Sequence, residues 1–299
     1  MSDFFNEGWS TYIAVVTAVS ILACLVLLII AARTKAMAAD NTTGHVWDEN
    51  LRELNNPLPM WWMGLFVLTI VFSAIYLVFY PGLGSFQGSL GWSQKAQYEA
   101  EIQRANQELA PLYARFDAMS VEQLAADGQA LRVGERLFVN NCAQCHGSDA
   151  RGSKGFPDLT DTDWLYGGSP DAIIHTIAKG RIGTMPPMAA AVGSSDDVRN
   201  LANYVLSLSG SPHNEIQAHL GRSKFTACAA CHGMKGQGNP ALGAPNLADR
   251  VWLHGWGDEA IANIIRQGKV NTMPAHADKL TPSQIRVLAG YVWGQSHPH

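Results

Sequence analysis

At 299 residues the chain has room for two small domains plus membrane-spanning segments. Charged residues are only 15% of it and the formal net charge is −4. No basic stripe is present, which excludes a nucleic-acid-binding surface.

In chain order, residues 1–8 are polar and carry Asp3 and Glu7. An apolar run follows from Thr11 to Ala32. At 1.5 Å per residue such a run covers roughly 33 Å, enough for a bilayer core. A cleaved signal peptide would place its positive charges before the apolar run. Here Arg33 and Lys35 come after it. The reading is a retained helix, residues 1–32 with their polar start outside and Arg33 inside. Cys24 lies within this run and is expected to be inert packing.

Residues 33–59 form the connecting loop on the inner side. Its second half, Gly44 to Pro59, is amphipathic enough for a short helix on the membrane surface, or it is a solvated connector. His45 there is expected at the surface. A second apolar run, residues 60–80, opens with Trp61-Trp62 and closes with Tyr76, Phe79 and Tyr80. These are aromatic anchors at two interfaces, and a second crossing returns the chain to the outside.

Residues 81–127 form a linker. Gly82, Gly84, Gly88 and Gly91 give a flexible exit, and residues 93–118 read as a stalk helix. Pro111 is expected to kink or end it. Tyr98, Ile102, Leu109, Leu112 and Phe116 could pack on a partner subunit or on the chain's own later domain.

Then comes an internal repeat of about 87 residues, in two domains at 128–209 and 210–299. Gly134 matches Gly221, Phe138 matches Phe225, and Pro157-Asp158-Leu159 matches Pro245-Asn246-Leu247. Trp164 matches Trp252, Gly180 matches Gly268, and Tyr204-Val205 matches Tyr291-Val292. Each copy carries Cys-x-x-Cys-His: Cys142, Cys145 and His146 in the first, Cys228, Cys231 and His232 in the second. This is the attachment pattern of c-type heme. Two thiols at that spacing can each form a thioether to one porphyrin, and the histidine then lies beneath the ring. Zinc would demand four N or S ligands in a closed tetrahedron, and a thioredoxin-like site would need a surrounding βαβ pattern. Neither is present, so two covalently bound c-type hemes are expected.

Thr184-Met185-Pro186 follows the first motif and Thr272-Met273-Pro274 the second, at matching repeat positions. Methionine opposite histidine is the ligand pair of electron-carrying c cytochromes. Met185 and Met273 are therefore the expected distal ligands, with Met188 and Met234 as competitors. Which heme each serves stays open, because neighbouring domains can exchange their methionine loops. His175, His254 and His276 have no repeated counterpart and read as ordinary polar residues. An iron with both axial positions filled passes single electrons and does not bind oxygen, and two in tandem form a relay. Attachment of c-type heme outside the bacterial inner membrane puts everything after about residue 90 in the periplasm, so the expected fold is all-α, with two transmembrane helices ahead of two heme domains.

The stretch Val46-Trp47-Asp48-Glu49-Asn50-Leu51-Arg52-Glu53-Leu54-Asn55-Asn56-Pro57-Leu58-Pro59, leading into Trp61-Trp62, together with the diheme half, resembles the diheme c-type subunit of cbb3-type cytochrome c oxidase, the CcoP or FixP family. The resemblance covers nearly the whole chain, although many members have a single membrane helix. It implies tandem class I cytochrome c domains in a proton-pumping, microaerobic terminal oxidase. Electrons would enter from a soluble cytochrome c or the bc1 complex. They would leave toward a monoheme subunit and a catalytic subunit with b-type hemes and copper. In class I cytochromes c a proline carbonyl accepts the second N–H of the proximal histidine, which would give that role to Pro157 and Pro245. Trp164 and Trp252 are expected near the hemes, where core filling alone would also explain them. The competing readings are a free membrane-tethered diheme carrier and a diheme peroxidase. The matched methionines argue against the peroxidase, since it needs an open iron position.

Overall fold

A computed structural model describes residues 6–33 and 42–297. Asp3 and Lys35, which entered the orientation reading, lie outside the described residues. The chain divides into two compact units, Met1–Glu108 and Leu109–His299.

In the first unit, α1 (Glu7–Arg33) and α2 (Met60–Phe79) are the two apolar helices, both long enough to span a bilayer. Their side chains point almost entirely outward, which is the pattern of helices whose solvent is lipid. Cys24 is accordingly exposed on α1, not packed against protein as expected. The start of α1 meets the segment after α2. The Ser85 backbone N–H and hydroxyl donate to Ser10 Oγ at 2.7 and 2.8 Å. The two helices thus run antiparallel, with the entry of one beside the exit of the other.

The connecting loop holds no helix among its described residues. It forms an antiparallel hairpin of β1 (Thr42–Trp47) and β2 (Leu51–Leu54). β-Branched Thr42, Thr43 and Val46 favour strand, and Asp48 and Glu49 take positive φ of 45° and 68° to turn the chain. His45 is exposed there, as expected.

The helix α3 (Gln94–Asp117) continues past Pro111, so the proline does not end it. Tyr98, Ile102 and Leu109 are exposed. Only the last turns pack, with Leu112, Tyr113 and Phe116 covering Leu124, Ala130 and Val287 of the second unit.

The second unit continues with α4 (Val121–Ala126), α5 (Gly128–Asn141), α6 (Ala143–His146), α7 (Pro170–Lys179), β3 (Arg181–Met185), α8 (Ala189–Val192) and α9 (Ser195–Leu208). The second copy follows as α10 (Glu215–Gly221), a 3₁₀ turn (Arg222–Phe225), α11 (Thr226–His232), α12 (Asp258–Gln267), β4 (Lys269–Met273) and α13 (Pro282–Ser296). The boundaries follow local chemistry. Asp127 accepts from the N–H groups of Gln129 and Ala130 to start α5. Ser194 with Asp197 and Thr281 with Gln284 form capping boxes at α9 and α13. Pro170 and Pro282 occupy the first helical positions, where no N–H is needed.

The packing does not follow the repeat. The closing helix of the second copy, α13, lies on α5 and α7 of the first. Their cluster joins Phe138, Ile173 and Ile177 to Ile285, Leu288 and Val292. Conversely α9, the closing helix of the first copy, lies on α10 and α12 of the second. There Val198, Leu201 and Val205 meet Phe225, Ile261 and Ile265. Each core is therefore built from both copies. Phe138, Leu201 and Leu288 are almost completely enclosed, and truncating such a side chain to alanine costs about 2–5 kcal/mol.

The methionine segments, expected as loops, pair as an antiparallel ribbon. β3 runs against β4 with Arg181 opposite Met273, Gly183 opposite Asn271 and Met185 opposite Lys269. Each segment alone is too short to make a sheet. Crossing between copies supplies the partner for its backbone groups.

Candidate functional site

Each Cys-x-x-Cys-His sits at the end of a helix that feeds into a tight turn. Gly147 and Gly233 follow the histidines with φ of 77° and 79°, a conformation that favours glycine. Both histidines are buried. His146 Nδ1 lies 3.0 Å from the Pro157 carbonyl oxygen, and His232 Nδ1 lies 3.0 Å from that of Pro245. The carbonyl can only accept, so each Nδ1 carries the proton and each Nε2 is left as the free lone pair. The prolines thus hold the rings by the contact expected of class I domains. Burial lowers the proton affinity of His146, against the opposing pull of the Pro157 carbonyl. A neutral, oriented imidazole with Nε2 available is the form that binds a metal.

Cys142 lies at the margin of the first core and Cys228 is buried in the second. Burial and the neighbouring Cys145 push the Cys142 thiol up to about 11. Burial and Cys231 raise the Cys228 thiol likewise. Cys145 and Cys231 are exposed. In each motif one sulfur thus faces the core and one the rim. The donor set fits heme: two sulfurs flank an apolar wall, and one imidazole nitrogen is free. Trp252, on the wall of the second core, adds a buried indole N–H without a partner among the described residues. A heme carboxylate would satisfy that donor.

Met185 and Met273 are both half-buried and alternate with exposed neighbours along their strands. They share the inner face of the ribbon. Met273 packs on the first core, the one that contains Cys142. Its flanking segment is bonded to α7 of the first copy, with His276 N–H donating to the Ile177 carbonyl at 3.1 Å. The Met185 segment is bonded in the same way to the second copy, Met188 N–H donating to the Ile265 carbonyl at 2.8 Å. Gly180 and Gly268, the matched glycines ending α7 and α12, explain the close approach. A Cβ on Gly180 would stand 2.4 Å from the Met273 carbonyl oxygen, and one on Gly268 would stand 2.5 Å from that of Met185.

Met188, the nearby competitor, packs on the second core, and Met234 is exposed. His175 is exposed. His254 Nε2 lies 2.8 Å from Asn271 Nδ2, and His276 Nδ1 lies 3.0 Å from the Pro274 carbonyl. Trp164 packs against the first core and Trp252 against the second. Sequence reasoning missed a carboxylate group where the copies meet. Burial, Asp249 and Asp161 together push Asp163 up to about 6. Asp161 is raised by burial, Asp158 and Asp249. Asp161 and Asp249 hold the same position in the repeat, a signal visible only once the copies are superposed.

Comparison with known proteins agrees with this geometry. The family described as the N-terminal domain of cytochrome oxidase-cbb3, FixP, matches residues 39–87. The family described as cytochrome c oxidase, cbb3-type, subunit III, matches residues 129–205 and 218–292. The chain is 60% identical over 296 residues to the cbb3-type cytochrome c oxidase subunit CcoP of Rubrivivax gelatinosus, covering 99% of this chain and 97% of that one. It is 38% identical to the subunit FixP of Rhizobium meliloti, covering 84% and 92%. With the subunit CcoP of Cereibacter sphaeroides it shares 34% identity, covering 85% and 93%. Sequence and site together show that the chain belongs to the CcoP/FixP family of cbb3-type cytochrome c oxidase subunits.

Proposed function

We propose that this chain is the electron-transfer subunit of a cbb3-type terminal oxidase and carries two covalently attached c-type hemes. Cys142 and Cys145 hold one through thioethers, and Cys228 and Cys231 hold the other. Bound heme iron supplies a one-electron couple at each site. His146 and His232 offer Nε2 as one axial ligand, each kept in a single tautomer by its proline carbonyl. Met273 serves the site of His146, and Met185 the site of His232. The observation that carries this crossed assignment is the ribbon. Each methionine segment is bonded to the middle helix of the other copy.

Held by one imidazole nitrogen and one thioether sulfur, an iron would keep no position open to oxygen or peroxide, and these residues would favour simple electron passage. Four residues of strand separate the two methionines along the ribbon, about 13 Å at the usual rise. A rigid connection of that length suits a relay between neighbouring centres. Electrons enter from a soluble cytochrome c or the bc1 complex. They leave toward a monoheme cytochrome c subunit and the catalytic subunit with b-type heme and copper. The antiparallel pairing of α1 with α2, tied by Ser10 and Ser85, supports a two-pass anchor in lipid of the bacterial inner membrane. The heme domains then lie in the periplasm.

Purification in mild detergent tests the reading. The chain is expected to comigrate with a heme b and copper polypeptide, and its mass to exceed that of the polypeptide by two hemes. A chain that migrates alone would instead be a free tethered carrier, and one lacking bound tetrapyrrole would not be a relay.

A further inference from the structure

The inner face of the β3–β4 ribbon carries more than its two methionines. By register Arg181 stands opposite Met273, Gly183 opposite Asn271, and Lys269 opposite Met185. Directly opposed residues share a sheet face. Each methionine therefore has a cation across the ribbon, and Gly183 and Asn271 hold the centre. Arg181 and Lys269 both follow the matched glycines, Gly180 and Gly268, so the cation is a feature of the repeat.

Polar groups from both copies meet this face. Tyr166 and His254 each come two residues after a matched tryptophan, Trp164 or Trp252. A Cβ on Gly183 would stand 3.0 Å from the Tyr166 hydroxyl. Arg181 lies 4.6 Å over the same ring, and its Nε donates to Thr176 Oγ1 at 2.9 Å. On the other strand, Asn271 Nδ2 lies 2.8 Å from His254 Nε2. Burial, then the charges of Lys269 and Lys154, lower the proton affinity of His254. No carboxylate offsets these cations: neither the segment from Ala172 to Ser195 nor that from Ala260 to Ala277 contains an aspartate or glutamate. Lys154, Arg181 and Lys269 form no ion pair among the described residues. Close by in the chain, the Trp252 indole N–H is buried without an acceptor, which costs about 1–3 kcal/mol if left so. Like charges and orphan donors gathered in one place repel until an anion joins them.

We infer that Arg181, Lys269 and Lys154, with Tyr166, His254 and Trp252, form one carboxylate-binding strip shared by the two sites, and that it holds the ionised side groups of both hemes. The inference rests on the relay reading above and names what lies between the two centres. The strip runs from one methionine to the other, so the groups it holds are brought toward each other across the ribbon. Its cations also favour the reduced form at each site, which carries one positive charge fewer. Arg181 is half-buried and braced by Tyr166 and Thr176, while Lys269 is exposed. The arginine therefore acts through less solvent and has the larger effect.

The test is a spectroscopic redox titration of the full chain in detergent with both hemes bound. Arg181→Gln should lower the potential of one heme. At a fixed solution potential its ferrous-to-ferric ratio should fall roughly tenfold, the size expected for losing a unit charge at about 10 Å with an effective dielectric of about 20. Lys269→Gln should lower the other heme by less. Arg181→Lys keeps the charge and should recover most of the loss. Resonance Raman bands of the heme carboxylates should move in Arg181→Gln, a signature that a merely structural role would not give. In the wild type, exchanging chloride for phosphate in the buffer should leave both potentials unchanged. Potentials that follow the phosphate concentration would mean that the strip takes a free anion instead. That result, unchanged potentials in both glutamine variants, or a loss in Arg181→Lys equal to that in Arg181→Gln would overturn the strip and leave the relay standing. A wild-type chain that binds no heme would instead remove the relay.

Discussion

The ring of Tyr291 lies on that of Phe138, centroids 5.4 Å apart at an interplanar angle of 44°, although the repeat puts the two residues in different copies. Tyr204 and Phe225 repeat the contact in the other direction, at 5.3 Å and 62°. Neither core can therefore be completed by its own copy. The two interlock, and a change in one closing helix is felt at the other copy's cysteines.

Ligand exchange can be read with one site at a time. In a chain carrying Cys142→Ala and Cys145→Ala, only the site of Cys228, Cys231 and His232 keeps its thioethers. Adding Met185→Leu should lower the potential of the remaining heme by on the order of 0.1 V, within the roughly 0.8 V that axial ligands span. Adding Met273→Leu should leave it unchanged. The reciprocal background, Cys228→Ala with Cys231→Ala, should respond to Met273→Leu alone. Redox titration of the four combinations decides it, and the opposite pattern would mean each copy uses its own methionine.

The interlock also predicts which glycines tolerate a methyl group. A Cβ on Gly134 would lie 2.6 Å from Tyr291 Cβ, and one on Gly221 would lie 2.1 Å from the Asn200 carbonyl oxygen. Gly134→Ala should cost about 1–3 kcal/mol by overpacking. Gly221→Ala should cost at least as much, because the obstacle is backbone. At Gly128 the nearest atom is the flexible Arg132 guanidinium at 3.7 Å, so Gly128→Ala should be neutral. Thermal melts followed at the heme absorption band would rank the three.

Asp163 makes stability depend on pH. Burial, Asp249 and Asp161 push this carboxyl from 3.8 up to about 6. Between those values the folded chain keeps a proton that the unfolded chain has released. Stability therefore falls as pH rises through that window and levels off above it. Asp163→Asn should remove the slope. It should match wild type near the lower limit and exceed it above the upper one, by about 1 kcal/mol once solvent screening of this half-buried carboxylate is counted. Denaturant melts at several pH values test this, and a variant that gains equally at all pH values would refute the charge argument.

Much of the site was legible in the chain itself, because its chemistry is local. A heme motif needs its cysteines and histidine within one helical turn, and Cys142 to His146 and Cys228 to His232 carry that spacing openly. The apolar lengths of α1 and α2 likewise follow from bilayer thickness. Other features were not local. The segment around Val46 and Trp47 was amphipathic enough for a helix, but its β-branched residues and a turn at Asp48 and Glu49 formed a hairpin. Pro111 did not end its helix.

The amino-acid sequence by itself determined two heme motifs, two matched methionines and two membrane-length helices, since each rests on spacing along one short segment. Only the tertiary structure decided that Met273 faces the copy of Cys142 and Met185 that of Cys228. Two copies with matched core positions offer similar apolar surfaces, so own-copy and exchanged packing bury similar side chains. The difference lies in long-range fit: Gly134 against Tyr291, Gly221 against Asn200, and the strand pairing that each methionine segment finds only in the other.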